Sequence, residues 1–102
     1  MTGFGGEPRT SIPLRYLISG FVLAPSGTGT TPLASSSTPV DVVSIKASPS
    51  NSVVINIGPS GSEMYPMSAG DSIDFEIVDL NMISISGTSV GNQRIIYIGG
   101  RQ

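Results

Sequence analysis

The chain has 102 residues, a length that supports one domain. Charged residues make up only 12% against an ordinary ~25%, the net charge is −2, and lysine occurs once, at Lys46, so the clustered basic patch that nucleic-acid binding needs is excluded. There is no Cys and no His, which removes disulfides and every zinc site built on those ligands.

Residues 1–13 contain Gly3, Gly5, Gly6, Pro8 and Pro13, and Gly and Pro are the poorest helix formers. They predict an extended N-terminal arm. Alone it buries too little to offset its ordering entropy. Holding it in place would require a partner surface, with Phe4 and Ile12 as apolar anchors and Arg9 pairing with a carboxylate; the alternative is a frayed terminus with no role.

Residues 14–102 form the predicted domain. Its first strand is Leu14–Ala24, with Leu14, Tyr16, Ile18 and Val22 on one face and Leu17, Phe21 and Leu23 on the other. A strand apolar on both faces is buried on both, and in so small a domain the second cover is expected from another copy. The same run has the apolarity of a signal-peptide core. Ser19 and Gly20 interrupt it and Pro25 follows it, so a strand is the better reading. No run reaches the ~20 apolar residues of a membrane span, and no membrane partner is expected.

The segment 25–39, PSGTGTTPLASSSTP, is longer than the usual ~4–6 residues of a connection. It is expected as a long loop, either mobile or ordered against a partner through Leu33, its one large apolar residue. Short strands then follow at regular spacing. Val40–Ala47 comes first, then Ser52–Ile57 with Val53, Ile55 and Ile57 on one face, then Glu63–Met67, where Pro66 suggests an edge. Asp71–Val78 should turn Ile73, Phe75 and Ile77 inward and Asp74 and Glu76 outward. Met82–Ser86 follows, and then Gln93–Ile98, whose Ile95, Ile96, Tyr97 and Ile98 are apolar on both faces. Turn residues separate these runs, and Asp79-Leu80-Asn81 is the one place for a helical turn. About seven strands with turns every 8–12 residues predict an all-β fold, a single antiparallel β-sandwich.

No candidate chemistry assembles from the sequence. Asp74 and Glu76 share a strand face with Cα atoms about 6.5–7 Å apart, a spacing open to calcium or to a glycosidase pair. The simpler reading is the solvated face of an amphipathic strand, with Asp71 capping a turn. Ser44 and Lys46 share a face, yet neither a G-x-S-x-G elbow nor an S-x-x-K run accompanies them. Gly27-Thr28-Gly29-Thr30 lacks the lysine of a phosphate loop. Catalytic residues, metal sites and cofactors are accordingly not expected. Tyr65, beside Pro66, is the best candidate for stacking on a ligand.

The run Val53-Val54-Ile55-Asn56-Ile57-Gly58, then Met64-Tyr65-Pro66-Met67-Ser68-Ala69-Gly70-Asp71-Ser72-Ile73, continues through Ile77-Val78-Asp79-Leu80-Asn81-Met82-Ile83-Ser84-Ile85 to Arg94-Ile95-Ile96-Tyr97-Ile98. This strand, Gly-Asp turn, strand, aspartate-led corner and closing strand resemble small structural proteins of tailed phages. The resemblance implies a jelly-roll or cupin-like sandwich and a capsid decoration (cement) protein. The cupin metal histidines are missing, so no cupin chemistry transfers. It further implies a homo-oligomer, a trimer, bound to the major capsid protein on the virion surface and made in the host cytoplasm. The expected contact residues are Phe4, Arg9, Ile12, Leu14, Tyr16, Leu17, Phe21, Leu33, Ile96 and Tyr97. Another virion component (baseplate, neck or fibre tip) and a carbohydrate- or ligand-binding module are the alternatives.

Overall fold

The computed structural model describes residues 14–102. The arm, with Phe4, Arg9 and Ile12, lies outside the described residues. Eight strands follow in order: β1 Tyr16–Leu23, β2 Thr30–Pro32, β3 Pro39–Ala47, β4 Ile55–Pro59, β5 Tyr65–Met67, β6 Ser72–Asp79, β7 Ile83–Ser86 and β8 Arg94–Arg101. A 3-10 turn, Leu80–Met82, joins β6 to β7.

Two four-stranded sheets form, ordered β1-β8-β3-β6 and β2-β7-β4-β5, with every pairing antiparallel. The chain passes repeatedly from one sheet to the other, and only β4 and β5 are both consecutive and paired. This strand order is that of a jelly roll, eight strands wound as two Greek keys. The predicted β-sandwich is thus the observed fold.

Period-two alternation explains which side chains fill the space between the sheets. From the first sheet come Val43, Ile45 and Ala47 of β3 and Ile95 of β8, and from the second Ile55, Ile57, Met67, Ile83 and Ile85. Gly20 stands opposite Tyr97 in the β1–β8 register. A Cβ at Gly20 would lie 2.9 Å from Tyr97 Oη, so the missing side chain is what admits the tyrosine ring.

Four expectations need correction. The segment 25–39 is not a plain loop: Thr30–Pro32 pairs with β7, and the Leu33 N–H donates to Ile83 O at 2.8 Å. Leu33 is 3% exposed and belongs to this chain's own core, so it is not free to meet a partner. The second sheet needs a strand beyond β7, and this segment supplies it. β4 starts at Ile55 rather than Ser52, because the Ser52 and Val53 N–H groups donate to Gln93 Oε1 at 2.6 and 3.3 Å.

Ile77, expected inward, is 85% exposed. Its φ of 53° places a β-branched residue in the left-handed region, which breaks the alternation of β6. Val78 then turns back to pack on the core. Relieving this conformation with Ile77→Gly should raise stability by about 0.5–1 kcal/mol, the left-handed penalty less glycine's extra chain entropy. A lower urea midpoint for the variant would count against the strain.

Asp79 begins the corner after β6. Its Oδ2 accepts from Ser37 Oγ at 2.6 Å, and its Oδ1 accepts from Thr38 N at 2.7 Å and from Asn81 N at 2.9 Å. It therefore caps the 3-10 turn and ties it to the strand entry at Pro39. These bonds, the Ser37 hydroxyl first and the two backbone N–H groups after it, hold the Asp79 carboxyl below its ordinary 3.8. A depressed carboxyl contributes stability above its unfolded value, and that stability is lost as pH falls through the folded one. Wild-type protein should therefore lose thermal stability on acidification below about pH 4. Asp79→Asn should melt lower at neutral pH and show a shallower acid decline, read by circular dichroism melts from pH 7 to 2.

Candidate interaction surface

The β1–β8 and β8–β3 registers lay out the outer face of the first sheet in rows. Phe21, Ile96, Lys46 and Ser72 form one row, Ser19, Ile98, Ser44 and Asp74 the next, and Leu17, Gly100, Val42 and Glu76 a third. The face is divided. Its β3–β6 half carries Lys46, Ser44, Asp74 and Glu76, all exposed. Its β1–β8 half is apolar, with Leu17 69%, Phe21 56%, Leu23 49% and Ile98 60% exposed. A contiguous apolar patch of this kind on a small domain is a candidate contact surface.

One cation borders the apolar half of the outer face, and a second pairs with Tyr16 on the opposite side of β1. The Arg94 guanidinium carbon lies 4.9 Å from the centroid of the Phe21 ring, and that of Arg101 lies 5.0 Å from the centroid of Tyr16. Both distances allow cation–π attraction, which holds the two rings against the sheet. The Asn51 side chain fixes the entry of β8, donating from Nδ2 to Arg94 O and accepting from Arg94 N, each at 2.9 Å.

In comparisons with known proteins, the chain matches no family model, no curated protein and no solved structure. The arrangement of residues therefore carries the functional reading.

Of the residues singled out in the sequence, the fold brings Leu17, Phe21 and Ile96 together on this half-face, whereas Tyr16, in step with Ile18 and Val22, lies on the opposite side of β1 near Pro39 and Arg101. Leu14 is half-buried at its end. Tyr97 points the other way, into the sandwich, where it packs against the core and is spent on internal cohesion. Leu23 and Ile98 were not singled out although they belong to the patch. The signal was available: Leu23 shares the alternation of Leu17 and Phe21, and Ile98 that of Ile96.

The acidic residues do not converge. Asp79 holds its corner, and Asp71 accepts the Ser68 N–H at 2.8 Å to close the turn before β6, as its cap role requires. Among the described residues no group of three or more His, Cys, Asp or Glu is placed to hold a metal ion. A second feature is an apolar cleft of about 480 Å³ at the open side of the sandwich between β5 and β6. Ile57, Pro59, Met64, Tyr65, Ile73 and Phe75 line it, with Met64 and Tyr65 at its exposed rim.

Proposed function

We propose that this chain is a non-enzymatic virion structural protein, a decoration protein that docks on a phage capsid from outside. The observation that carries the reading is the divided outer face of the first sheet. Leu17, Phe21, Leu23, Ile96 and Ile98 stand on two adjacent paired strands of a jelly roll and offer a firm apolar surface bordered by Arg94, with Lys46, Asp74 and Glu76 on its far half. The resemblance of the C-terminal half to small phage structural proteins supplies the identity of the shell. In this reading the major capsid protein is the partner and the virion surface the location.

Adding the purified protein to undecorated, expanded capsids should give saturable binding and a higher disruption temperature. Phe21→Asp should weaken binding about 30-fold, the loss of a central aromatic anchor. Its fold should persist, because the site is already in solvent. Absence of binding to its own capsid at every stage of maturation would remove the proposal. Locating the chain in a virion reconstruction would separate decoration from a baseplate, neck or fibre-tip role.

The cleft beside Tyr65 favours a second reading, a module that binds an apolar or ring-bearing ligand. A glycan array on wild type and Tyr65→Ala tests it, with a stacking tyrosine worth about 1 kcal/mol.

A further inference from the structure

Strand edges expose unpaired N–H and C=O groups, and folded proteins keep them from joining other chains by shortness, charge, proline or a kink. Among the described residues the two sheets have four edges. β2 is three residues long and ends in Pro32. β5 is three residues long with Pro66 at its centre. β6 carries Asp74 and Glu76 and is kinked at left-handed Ile77.

β1 has none of these protections. Its eight residues, YLISGFVL, include no charge and no proline. They pair with β8 in unbroken register from Tyr16↔Arg101 to Leu23↔Arg94. The Ala24 N–H continues that ladder to Gln93 O at 2.9 Å. Hydrogen-bonded and non-bonded pairs alternate in an antiparallel ladder. The even-numbered residues therefore bond to β8, and Leu17, Ser19, Phe21 and Leu23 direct their backbone groups to the open side.

We infer that β1 pairs antiparallel with β1 of a second copy about a two-fold axis at Gly20, joining two four-stranded sheets into one of eight. This register sets Leu17 opposite Leu23 and Ser19 opposite Phe21 on the outer face, and Ile18 opposite Val22 on the inner one. The hydrogen-bonded pairs fall on the residues whose backbone groups are open. No charge meets a charge, and every side chain keeps the face it already has. Residues 1–13 are a poor competitor for the edge, since Pro8 and Pro13 lack the N–H a ladder needs and the glycines disfavour strand.

The backbone edge with the near sides of Tyr16, Leu17, Phe21 and Leu23 supplies on the order of 500 Å² per copy, at the low end of specific interfaces. The association therefore falls in the micromolar range. Such pairing is isologous and closes at two copies, in place of the trimer that the family resemblance implies. It also doubles the apolar half-face into one continuous surface, which extends the docking surface proposed above. The pairing itself needs no shell and is tested on purified protein.

Light scattering should show the mass rising from 10.5 kDa to about twice that as concentration passes through the micromolar range. Ser19→Pro removes one donor from the open edge and none from the β8 ladder, and should raise the dissociation constant at least tenfold with an unchanged circular dichroism spectrum. Should that variant fail to fold, Ser19→Cys and Phe21→Cys proteins mixed and oxidised give the second readout. The chain has no cysteine of its own. The mixture should cross-link well above a Ser60→Cys control. A mass of one copy at all concentrations, a mass of three, or cross-linking at 19 and 21 no better than the control overturns the inference. A monomer that still binds capsids would discard the edge pairing and keep the shell function, and a dimer that binds no capsid would do the reverse.

Discussion

Gly99→Ala is expected to lower the unfolding free energy by about 3 kcal/mol or more, a large share of the ~5–15 kcal/mol a domain possesses. Gly99 stands opposite Val43 where β8 meets β3, in the middle of the first sheet. A Cβ there would fall 2.4 Å from Val42 O and 2.9 Å from Val43 Cα. Both are backbone atoms of a paired strand, so no side chain can rotate to make room. The β8–β3 ladder would have to open. Gly91→Ala is the matched comparison, because nothing lies within 4 Å of the added carbon. It should change stability by less than about 0.5 kcal/mol. Equal urea midpoints for the two variants would refute the steric account.

Ile45→Ala should cost about 3–5 kcal/mol. Ile45 is fully buried on β3 and is flanked in register by Ile73 of β6 and Tyr97 of β8. Its removal leaves a void between partners that are themselves held in ladders and relax little. Lys46→Ala, one residue on and facing solvent, should stay within about 0.5 kcal/mol. Denaturant unfolding followed by tyrosine fluorescence measures both. A loss under 1 kcal/mol for Ile45→Ala would mean that the two sheets are not tightly packed at this level.

Much of the fold was legible because β3, β4 and β7 alternate cleanly and the segments between them carry turn residues. Asp79 could be placed at a corner because an aspartate ahead of Leu-Asn suits a cap. The strand Thr30–Pro32 was not legible. Its three residues show no apolar alternation, and it exists only because β7 offers an edge, a fact that lies 52 to 56 residues away in the chain. Ile77 was misplaced for the opposite reason. Its alternation was right for a regular strand, and a left-handed backbone overrode it.

The exposed apolar face was half legible. A strand apolar on both sides announces a surplus face, and Leu17 and Phe21 lie on it. Composition alone does not say which of two neighbouring apolar residues points inward. Tyr97 went to the core and Ile98 to the surface because Gly20 left room for one large ring on the inner side. Leu33 misled as a lone apolar residue in a polar segment, since such a residue anchors that segment to its own domain as readily as to another.

The winding of the chain has a consequence for how the protein is made. Among the described residues β1 finds its sheet partner in β8, 71 to 85 residues further along. A ribosome adds about 5–20 residues per second. For several seconds, then, the uncharged run YLISGFVL is in the cell with no strand to lie against. β3 fares little better, since its neighbours are β6 and β8. Only the β4–β5 hairpin can close promptly. Nascent chains on one messenger therefore present identical sticky segments to each other before any of them can fold.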